Sequence, residues 1–417
     1  PDPLPALHPG YAGGQLAMLG LTQAHNEGWT GRGVPIAMFD SGYLGVDSLP
    51  MFARLRGEGR LLGGQDFVRG QQNDSLYRLG VHGTAVLSIA AGQEDSMTRG
   101  AGYGAGYYLL RTEDVRSETP MEEAYWIAAA EWADSAGAQI FTISLGYTTY
   151  QPPHPSYTPA DMDGHTAPIS RAAALATRKG ILVINSAGNE GASEWGIVSV
   201  PADAEGVSAA AALAPYRHIT GFSSRGPTAD GRLKPDLSAQ GGEAWHYRAD
   251  LGYYTWGGGT SYSAPLLAGL AACLWQRCPW ATNAQLRAAL LRSAHRWAAP
   301  DYAMGYGIPK FQRAYQHLQQ QDAPLQRRAQ GQQLLVAPNP ARESVTVTLP
   351  GGLAGQRLSL QLTDAQGRRL YHRSFVAADD ALQLSRTLLA RPGYQGISIL
   401  HIAGAGLAPR YARVVWR

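Results

Sequence analysis

The chain has 417 residues, 45% of them hydrophobic and 16% charged, which is enough for one large domain and a small second one. No run of 18 apolar residues occurs, which argues against a membrane-spanning helix. The net charge of +3 divides unevenly: residues 326–417 carry 12 Arg, no Lys and 4 acidic residues, giving +8, and the remainder carries −5. The basic end lacks the lysine-rich or aromatic-interleaved patches typical of nucleic-acid binding, so no nucleic-acid partner is expected.

The first part of the chain alternates between apolar runs and helical patterns. Continuous apolar runs are typical of strands buried on both faces of a parallel sheet. The alternation therefore predicts an α/β fold with a mostly parallel central sheet. Strands are predicted over 34–39, 101–111, 138–144 and 181–185, helices over 15–27, 82–91, 122–136, 167–179, 282–298 and 311–321, and an irregular segment over 43–80.

The pattern changes near the end of the chain. Residues 322–333 are rich in Gln, Arg and Ala without periodicity, which is typical of a linker. From 334 to 417, short segments alternate strictly between apolar and polar residues, as in 345–349 and 358–362. Short alternating strands predict a small antiparallel β-sandwich. The expected domains are thus 1–321, a linker over 322–333, and a sandwich over 334–417.

One stretch, residues 257–265, places three glycines directly ahead of Thr260 and Ser261. The run that follows is apolar almost all the way round, which is typical of a buried helix, and Pro265 is expected in its first turn. The positive end of that helix would favour negative charge developing near Ser261. A lone serine still needs a base to act as a nucleophile. Taken alone, the stretch is equally consistent with an N-cap serine after a flexible turn.

Polar residues stand where several predicted elements begin or end. Asp40, Ser144 and Asn189 each follow a predicted strand, and the carboxyl ends of parallel strands form the edge where ligands bind. His82 opens a helix of small and apolar residues, and by itself it would be read as a core histidine. With Asp40 and Ser261 it completes the set that nucleophilic catalysis needs: serine attacks, histidine takes its proton, and aspartate fixes the imidazole tautomer.

Five segments in this order resemble subtilisin-family serine peptidases. They are Asp40-Ser41-Gly42, His82-Gly83-Thr84, Ser144-Leu145-Gly146, Ala187-Gly188-Asn189-Glu190-Gly191 and Gly259-Thr260-Ser261-Tyr262-Ser263-Ala264-Pro265. The resemblance implies Asp40, His82 and Ser261 as the catalytic triad and Asn189 as the donor to the oxyanion. It also implies a secreted serine endopeptidase that works through an acyl-enzyme, with the family's three-layer fold.

The same resemblance implies that Ser144, Leu145 and Gly146 hydrogen-bond the substrate backbone as an added strand. Two positions depart from the family pattern. Tyr262-Ser263 follows the nucleophile where the family usually has Met-Ala, and Gln240 stands where a proline is common. Neither departure removes a reacting group, but Tyr262 is expected to narrow or re-aim the site.

A second set of short segments lies in the C-terminal part of the chain. They are Pro338-Asn339-Pro340, Asp364-Ala365-Gln366-Gly367, Pro392-Gly393-Tyr394 and a terminal strand of basic and apolar residues. Residues 334–417 thereby resemble the sorting domain of cargo of the type IX secretion system of Bacteroidetes. The resemblance implies a secreted or cell-surface location and makes the secretion machinery a partner.

Other features of the sequence leave cofactor and function open. Asp161 and Asp163 have a spacing seen in calcium loops, but no full ligand set follows, so we expect turn residues and assign no metal. No cofactor is expected for the chemistry, and structural calcium stays unassigned. Cys273 is expected in the core, and the environment of Cys278 is left open.

The rival to a monomeric peptidase that acts on proteins or peptides is an inactive peptidase-fold surface protein whose sandwich binds glycan or a protein partner.

Overall fold

The computed structural model describes residues 10–70, 75–329, 335–337, 341, 343–348, 355–364, 368–377, 381–389, 394–404 and 407–416. Two compact units divide the chain. The larger comprises the residues up to 134 together with 138–318, and the smaller comprises 135–137 and 319–417.

The elements of the larger unit alternate between strands and helices. The helices are α1 Gly13–Leu19, α2 Leu21–Asn26, α3 Ala53–Gly57, α4 Val81–Ala91, α5 Met121–Ala136, α6 Pro168–Arg178, α7 Thr260–Arg277, α8 Asn283–Ser293 and α9 Phe311–Ala329, which extends past residue 318. The strands are β1 Pro35–Asp40, β2 Leu61–Asp66, β3 Gln93–Glu94, β4 Thr98–Arg99, β5 Gly106–Arg111, β6 Ile140–Ile143, β7 Leu182–Ser186, β8 Ser208–Leu213, β9 Leu237–Gln240, β10 Ala244–Arg248 and β11 Tyr253–Gly257.

A seven-stranded sheet forms the centre of this unit, in the order β2-β5-β1-β6-β7-β8-β9. Every pair of neighbouring strands in it is parallel. Strands β1, β6 and β7 are adjacent, so the segments after Asp40, Ile143 and Ser186 leave the sheet at the same edge. The predicted parallel sheet is confirmed, and its carboxyl edge holds the polar residues that the sequence placed at strand ends.

Helices cover both faces of the sheet, which explains the uninterrupted apolar strands. On one face, Ile36 and Met38 of β1 join a buried cluster that includes residues of α4 and α7. On the other face, the ring of Phe39 stacks on Trp126 of α5 at 5.1 Å between centroids. Alternate residues of one strand therefore pack against different helix layers, and the unit has the predicted three layers.

Several element boundaries differ from the sequence prediction. The helix expected over 15–27 is broken by Gly20, whose φ of +78° ends α1 before α2 begins. The segment 43–80, expected to be irregular, contains the edge strand β2 and the short α3. Residues 322–329, expected in a linker, are helical because α9 continues through Ala329. Residues 330–333 of that predicted linker lie outside the described residues.

The smaller unit contains two antiparallel sheets. Its strands are β12 Leu335–Ala337, β13 Ser344–Thr348, β14 Arg357–Asp364, β15 Arg369–Val376, β16 Ala381–Ser385, β17 Gly396–Gly404 and β18 Leu407–Trp416. One sheet has the order β12-β13-β16 and the other β15-β14-β17-β18. Their inner side chains share one core, with Val345 and Val347 from the first sheet and Leu360 and Leu400 from the second. The alternating patterns thus form the antiparallel sheets expected of a sandwich.

Parts of the second resemblance cannot be followed into the structure. Pro338-Asn339-Pro340, residues 365–367 and Pro392-Gly393 lie outside the described residues. Across the helices that the structure does describe, none is long and apolar enough to cross a membrane.

Candidate active site

A hydrogen-bonded carboxylate and imidazole join the end of β1 to the first turn of α4. Nδ1 of His82 lies 2.9 Å from both carboxylate oxygens of Asp40. A carboxylate only accepts hydrogen bonds, so Nδ1 carries the proton and Nε2 is left as the basic nitrogen of the neutral ring. The structure therefore brings Asp40 and His82 into hydrogen-bond contact.

Glycines allow these two elements to approach so closely. A β-carbon at Gly83, the residue after the histidine, would collide with the carbonyl of Gly42 and lie 3.0 Å from the β-carbon of Asp40. Gly42 itself has a φ of +125°, which side chains larger than hydrogen disfavour. The small residues around Asp40 and His82 are thus required by close backbone contact.

Asp40 is buried, with 3% of its surface exposed, and its charge is balanced by hydrogen bonds. Its Oδ1 accepts from the backbone N–H of Ser41 at 2.7 Å and from the Ser41 hydroxyl at 3.1 Å. The carbonyl of Ser41 in turn accepts from Nε of Arg111 at 3.0 Å, and Arg111 is ion-paired with buried Asp66 at 2.8 Å. This network holds the carboxylate in one orientation.

The pKa of His82 reflects two opposing effects. Burial disfavours the imidazolium form and lowers the pKa, but the charge of Asp40 and the hydrogen bond to it together outweigh burial. The pKa of His82 is therefore raised above its ordinary value. A raised pKa makes this imidazole a stronger base for accepting a proton.

Ser261 is the second residue of α7 and is buried. Its hydroxyl donates to the carbonyl of Ser144 at 3.2 Å, and the Ser144 hydroxyl donates back to the carbonyl of Ser261 at 2.9 Å. Within the described part of the chain, Ser261 Oγ makes no hydrogen bond to His82. The serine thus lies at the predicted helix start, but its hydroxyl faces the loop after β6.

Pro265 explains one of these contacts and corrects its expected position. It lies four residues after Ser261, beyond the first turn of α7, where its missing N–H leaves the Ser261 carbonyl without the usual helical donor. The hydroxyl of Ser144 fills that place. The proline therefore helps to tie the start of α7 to the end of β6.

Asn189 lies beside the start of α7 with its amide orientation fixed. Its Oδ1 accepts from the backbone N–H of Thr260 at 2.9 Å and from the Thr260 hydroxyl at 3.0 Å. Since a backbone N–H can only donate, the oxygen must face Thr260, and the NH₂ group is left to donate elsewhere. The backbone N–H of Ser261 lies in the first helical turn, where N–H groups lack an intrahelical acceptor.

The segment Ser144, Leu145 and Gly146 follows β6 and borders the same space. Leu145 is half-buried and its carbonyl accepts from Nδ2 of Asn185 at 3.1 Å, whereas Gly146 is exposed. A β-carbon on Gly146 would collide with the hydroxyl of Ser199. The backbone groups of Gly146 make no hydrogen bond in the part of the chain that the structure describes.

A cleft of about 220 Å³ lies between these segments. It is lined by Ser144, Leu145, Gly146, Thr148, Ser186, Gly188, Asn189, Glu190, Ser199 and Ser261. The serine, the asparagine and the whole Ser144–Gly146 segment therefore face one opening.

Sequence reasoning missed the residues that support the site from behind. Thr260 is such a residue: the hydrogen bonds from its backbone N–H and hydroxyl to Asn189 form only when the start of α7 meets the glycine turn around Asn189. Arg111 ends an apolar strand and gave no signal of its contact with Ser41. Such contacts join residues far apart in the chain, so local pattern does not reveal them.

The acidic pair considered for a metal has another role. Asp161 accepts from the backbone N–H and hydroxyl of Thr158, and Asp163 accepts from the backbone N–H groups of His165 and Thr166. Both carboxylates thus stabilise their own turns. In the described residues, no group of three or more His, Cys, Asp and Glu side chains could hold a metal ion.

Cys273 and Cys278 are both buried.

A parallel sheet with a hydrogen-bonded Asp–His pair at one strand end, together with a serine at a helix start, is typical of a class of serine hydrolases. Comparison with known proteins gives the family. A model of the subtilase family, peptidase S8, matches residues 31–307, and this chain belongs to that family. Subtilisin E of Bacillus subtilis (strain 168) is 30% identical over 296 residues, which cover 70% of this chain and 68% of that protein. Subtilisin of Bacillus pumilus is also 30% identical over 296 residues, with 70% and 94% covered.

Solved structures share the fold. The prenylagaramide maturation protease PagA matches with a TM-score of 0.55 and 22% identity, covering 72% of this chain and 98% of that chain. The MycP3 protease of the type VII (ESX-3) secretion system matches with a TM-score of 0.58 and 20% identity, covering 75% and 90%. The chain is therefore a subtilisin-like serine endopeptidase with the family's three-layer fold, and these peptidase relatives do not favour the inactive alternative.

Proposed function

We propose that this subtilase is a secreted, monomeric endopeptidase that cleaves protein or peptide substrates with Asp40, His82 and Ser261 as its triad. The observation that carries the proposal is the pair of 2.9 Å contacts between Nδ1 of His82 and the carboxylate of Asp40. It is supported by the cleft that Ser261 and Asn189 line together.

The nucleophile must change its hydrogen bond before it reacts. In the resting site the hydroxyl of Ser261 donates to the carbonyl of Ser144. Catalytic hydrogen bonds are often unformed until substrate binds. We expect a turn about the Cα–Cβ bond to bring Oγ to Nε2 of His82, which takes the proton as Oγ attacks the peptide carbonyl. His82 then protonates the leaving amine, and water hydrolyses the acyl-enzyme by the same route.

Negative charge on the attacked carbonyl oxygen needs donors that are already in place. The NH₂ group of Asn189 is one such donor, because Thr260 holds the oxygen of the amide on the other side. The backbone N–H of Ser261 is the second. Preorganised donors of this kind stabilise the transition state more than the ground state, since the charge appears only there.

The substrate backbone would bind along Ser144, Leu145 and Gly146. Gly146 is exposed, and its N–H and carbonyl are unbonded in the described chain, which suits pairing with an extended peptide. The carbonyl of Ser144 becomes available to a substrate N–H once the Ser261 hydroxyl leaves it. None of these steps needs a cofactor, and structural calcium has no assigned site.

Removing the nucleophile tests the proposal. Ser261→Ala should abolish peptide hydrolysis and leave the fold intact, with a loss of about 10⁶-fold in turnover, the magnitude known for subtilisin itself. Ser263→Ala is the matched control, because this buried serine lies on the same helix but donates to Ala239 and does not line the cleft. Casein cleavage by Ser261→Ala at a rate near that of the Ser263→Ala variant would overturn the assignment.

We further propose that residues 334–417 are a sorting domain for export by a type IX system, to the medium or the cell surface. The proposal is supported by the sequence segments in this region that resemble such domains. It is also supported by the hydrophobic core that the two antiparallel sheets share. Truncation after Gln321 keeps Phe311, Ala314 and Leu318, which pack in the core of the larger unit. The truncated protein should stay active and fail to be exported. Normal export would contradict the sorting role.

A further inference from the structure

An aromatic ring faces the base of the proposed triad. The ring of Tyr262 lies 6.4 Å from that of His82, centroid to centroid, with 24° between their planes. Its other neighbour is His246, at 4.5 Å and again 24°. Tyr262 is thus stacked near both the imidazole of the proposed triad and a second histidine, in the turn of α7 that also carries Ser261.

His246 is placed to hold this tyrosine. It is 3% exposed, and its Nδ1 lies 3.0 Å from the carbonyl of Ala244. Since a carbonyl only accepts, Nδ1 carries the proton and Nε2 accepts, and the Tyr262 hydroxyl lies 3.3 Å from that Nε2. Burial lowers the pKa of His246, and this favours the neutral ring that the arrangement needs.

The local backbone makes room for His246. A β-carbon on Gly257 would collide with the imidazole of His246. Gly257 ends β11, which pairs with β10, the strand that carries His246. The hairpin and the glycine turn that leads to Ser261 are therefore shaped around this histidine.

His82 needs such support because Asp40 holds only one edge of its ring. The Asp40 carboxylate fixes Nδ1, but 40% of the His82 side chain remains exposed. A ring held at one edge can still tilt, and Nε2 must point at Ser261 Oγ for proton transfer. A second contact, on the face of the ring, limits that tilt.

We propose that Tyr262 is a positioning residue that holds the face of the His82 ring, and that His246 locks Tyr262 in place. This inference rests on the proposed triad. It concerns a position where the chain departs from the usual family sequence, since Tyr262 stands where Met is common. The role belongs to the aromatic ring, with the hydroxyl serving to anchor it.

Substitution of the ring tests the proposal. Tyr262→Leu should lower kcat by roughly 10- to 100-fold with KM changed less than about twofold, because misplacement of a reacting group costs turnover more than binding. Tyr262→Phe keeps the ring and should restore kcat to within about fivefold of wild type. Tyr254→Leu is the matched control: this tyrosine of the same hairpin contacts Glu94 and Trp245, and it should leave kcat unchanged.

The outcomes separate this inference from the proposed function. If the wild-type enzyme fails to react with a fluorophosphonate, the triad itself is wrong. If wild type reacts and folded Tyr262→Leu reacts at the same rate with an unchanged kcat, the positioning role is overturned. A raised KM with unchanged kcat would also overturn the positioning role, because Tyr262 would then act in substrate binding. Circular dichroism establishes that each variant is folded before its rates are compared.

Discussion

Asp40 and His82 are joined in the resting structure by two 2.9 Å contacts, whereas the hydroxyl of Ser261 is bonded to a backbone carbonyl after β6. The first pair is enclosed by a network that runs through Ser41 to Arg111. The serine has a firmly held backbone, since its carbonyl accepts from Ser144, whereas its side chain makes a single hydrogen bond among the described residues.

This difference indicates which part of the site is fixed and which part adjusts. Moving Asp40 would break its hydrogen bonds to His82 and its buried hydrogen bonds to Ser41, and that is costly. Turning the Ser261 hydroxyl exchanges one hydrogen bond for another. If the proposed roles hold, His82 and the amide of Asn189 are in place before substrate binds, while the Ser261 hydroxyl takes its reactive position on binding.

The largest effect is expected from breaking the fixed pair. Asp40→Asn should lower kcat by about 10⁴-fold, because an amide NH₂ in place of the carboxylate favours the wrong imidazole tautomer. Asp66→Asn is the comparison variant. It removes the negative charge that pairs with Arg111, on a strand two places from the strand of Asp40 in the sheet. This change should reduce stability more than turnover. Equal kinetic losses in the two variants would mean that Asp40 acts only through the fold.

A smaller effect is expected from removing the oxyanion donor. Asn189→Ala should lower kcat by roughly 10²–10³ with little change in KM; this magnitude is the one known for subtilisin. Thr260→Val, which removes one of the two hydrogen bonds to Asn189, should cost less. Steady-state kinetics on one peptide substrate measures both. A change in KM alone for Asn189→Ala would exclude the oxyanion role.

The mildest test changes only pH. His82 must be neutral to act as a base, and its pKa is raised by Asp40 above the ordinary value of about 6.5. Activity should therefore rise with pH, reach half its maximum above pH ~6.5, and level off. The stabilisation of the fold by the charged Asp40–His82 pair depends on pH in the opposite direction to activity. It is complete below the ordinary pKa of His82 and is lost as pH rises through the raised pKa. An activity optimum near pH 4 would point to a carboxyl base instead.

The sequence predicts Asp40, His82 and Ser261 at the ends of regular elements, and the structure has them there, while their catalytic role stays a prediction. Asp40, His82 and Ser261 were recognisable because apolar runs and small-residue segments mark where β1, α4 and α7 begin or end. The uninterrupted apolar runs also predict the parallel sheet. The structure explains these runs, because strands such as β1 are buried along their whole length.

The sequence could not predict contacts between distant segments. No local sequence pattern marks His246. Its contact with Tyr262 depends on how the β10–β11 hairpin packs beside α7. The hydroxyl orientation of Ser261 depends on the carbonyl of Ser144, which lies 117 residues earlier in the chain. The length of α9 was underestimated because residues 322–329 lack an apolar stripe, so the pattern resembled a linker.

The central claim is that the serine at the start of α7 is the nucleophile and that the Asp40–His82 pair activates it. Labelling with a fluorophosphonate, followed by digestion and mass spectrometry, tests this directly. We expect one labelled peptide, with the adduct on Ser261, labelling that slows strongly in Asp40→Asn, and no label in Ser261→Ala. An unlabelled wild-type protein, or an adduct on another serine, would contradict it.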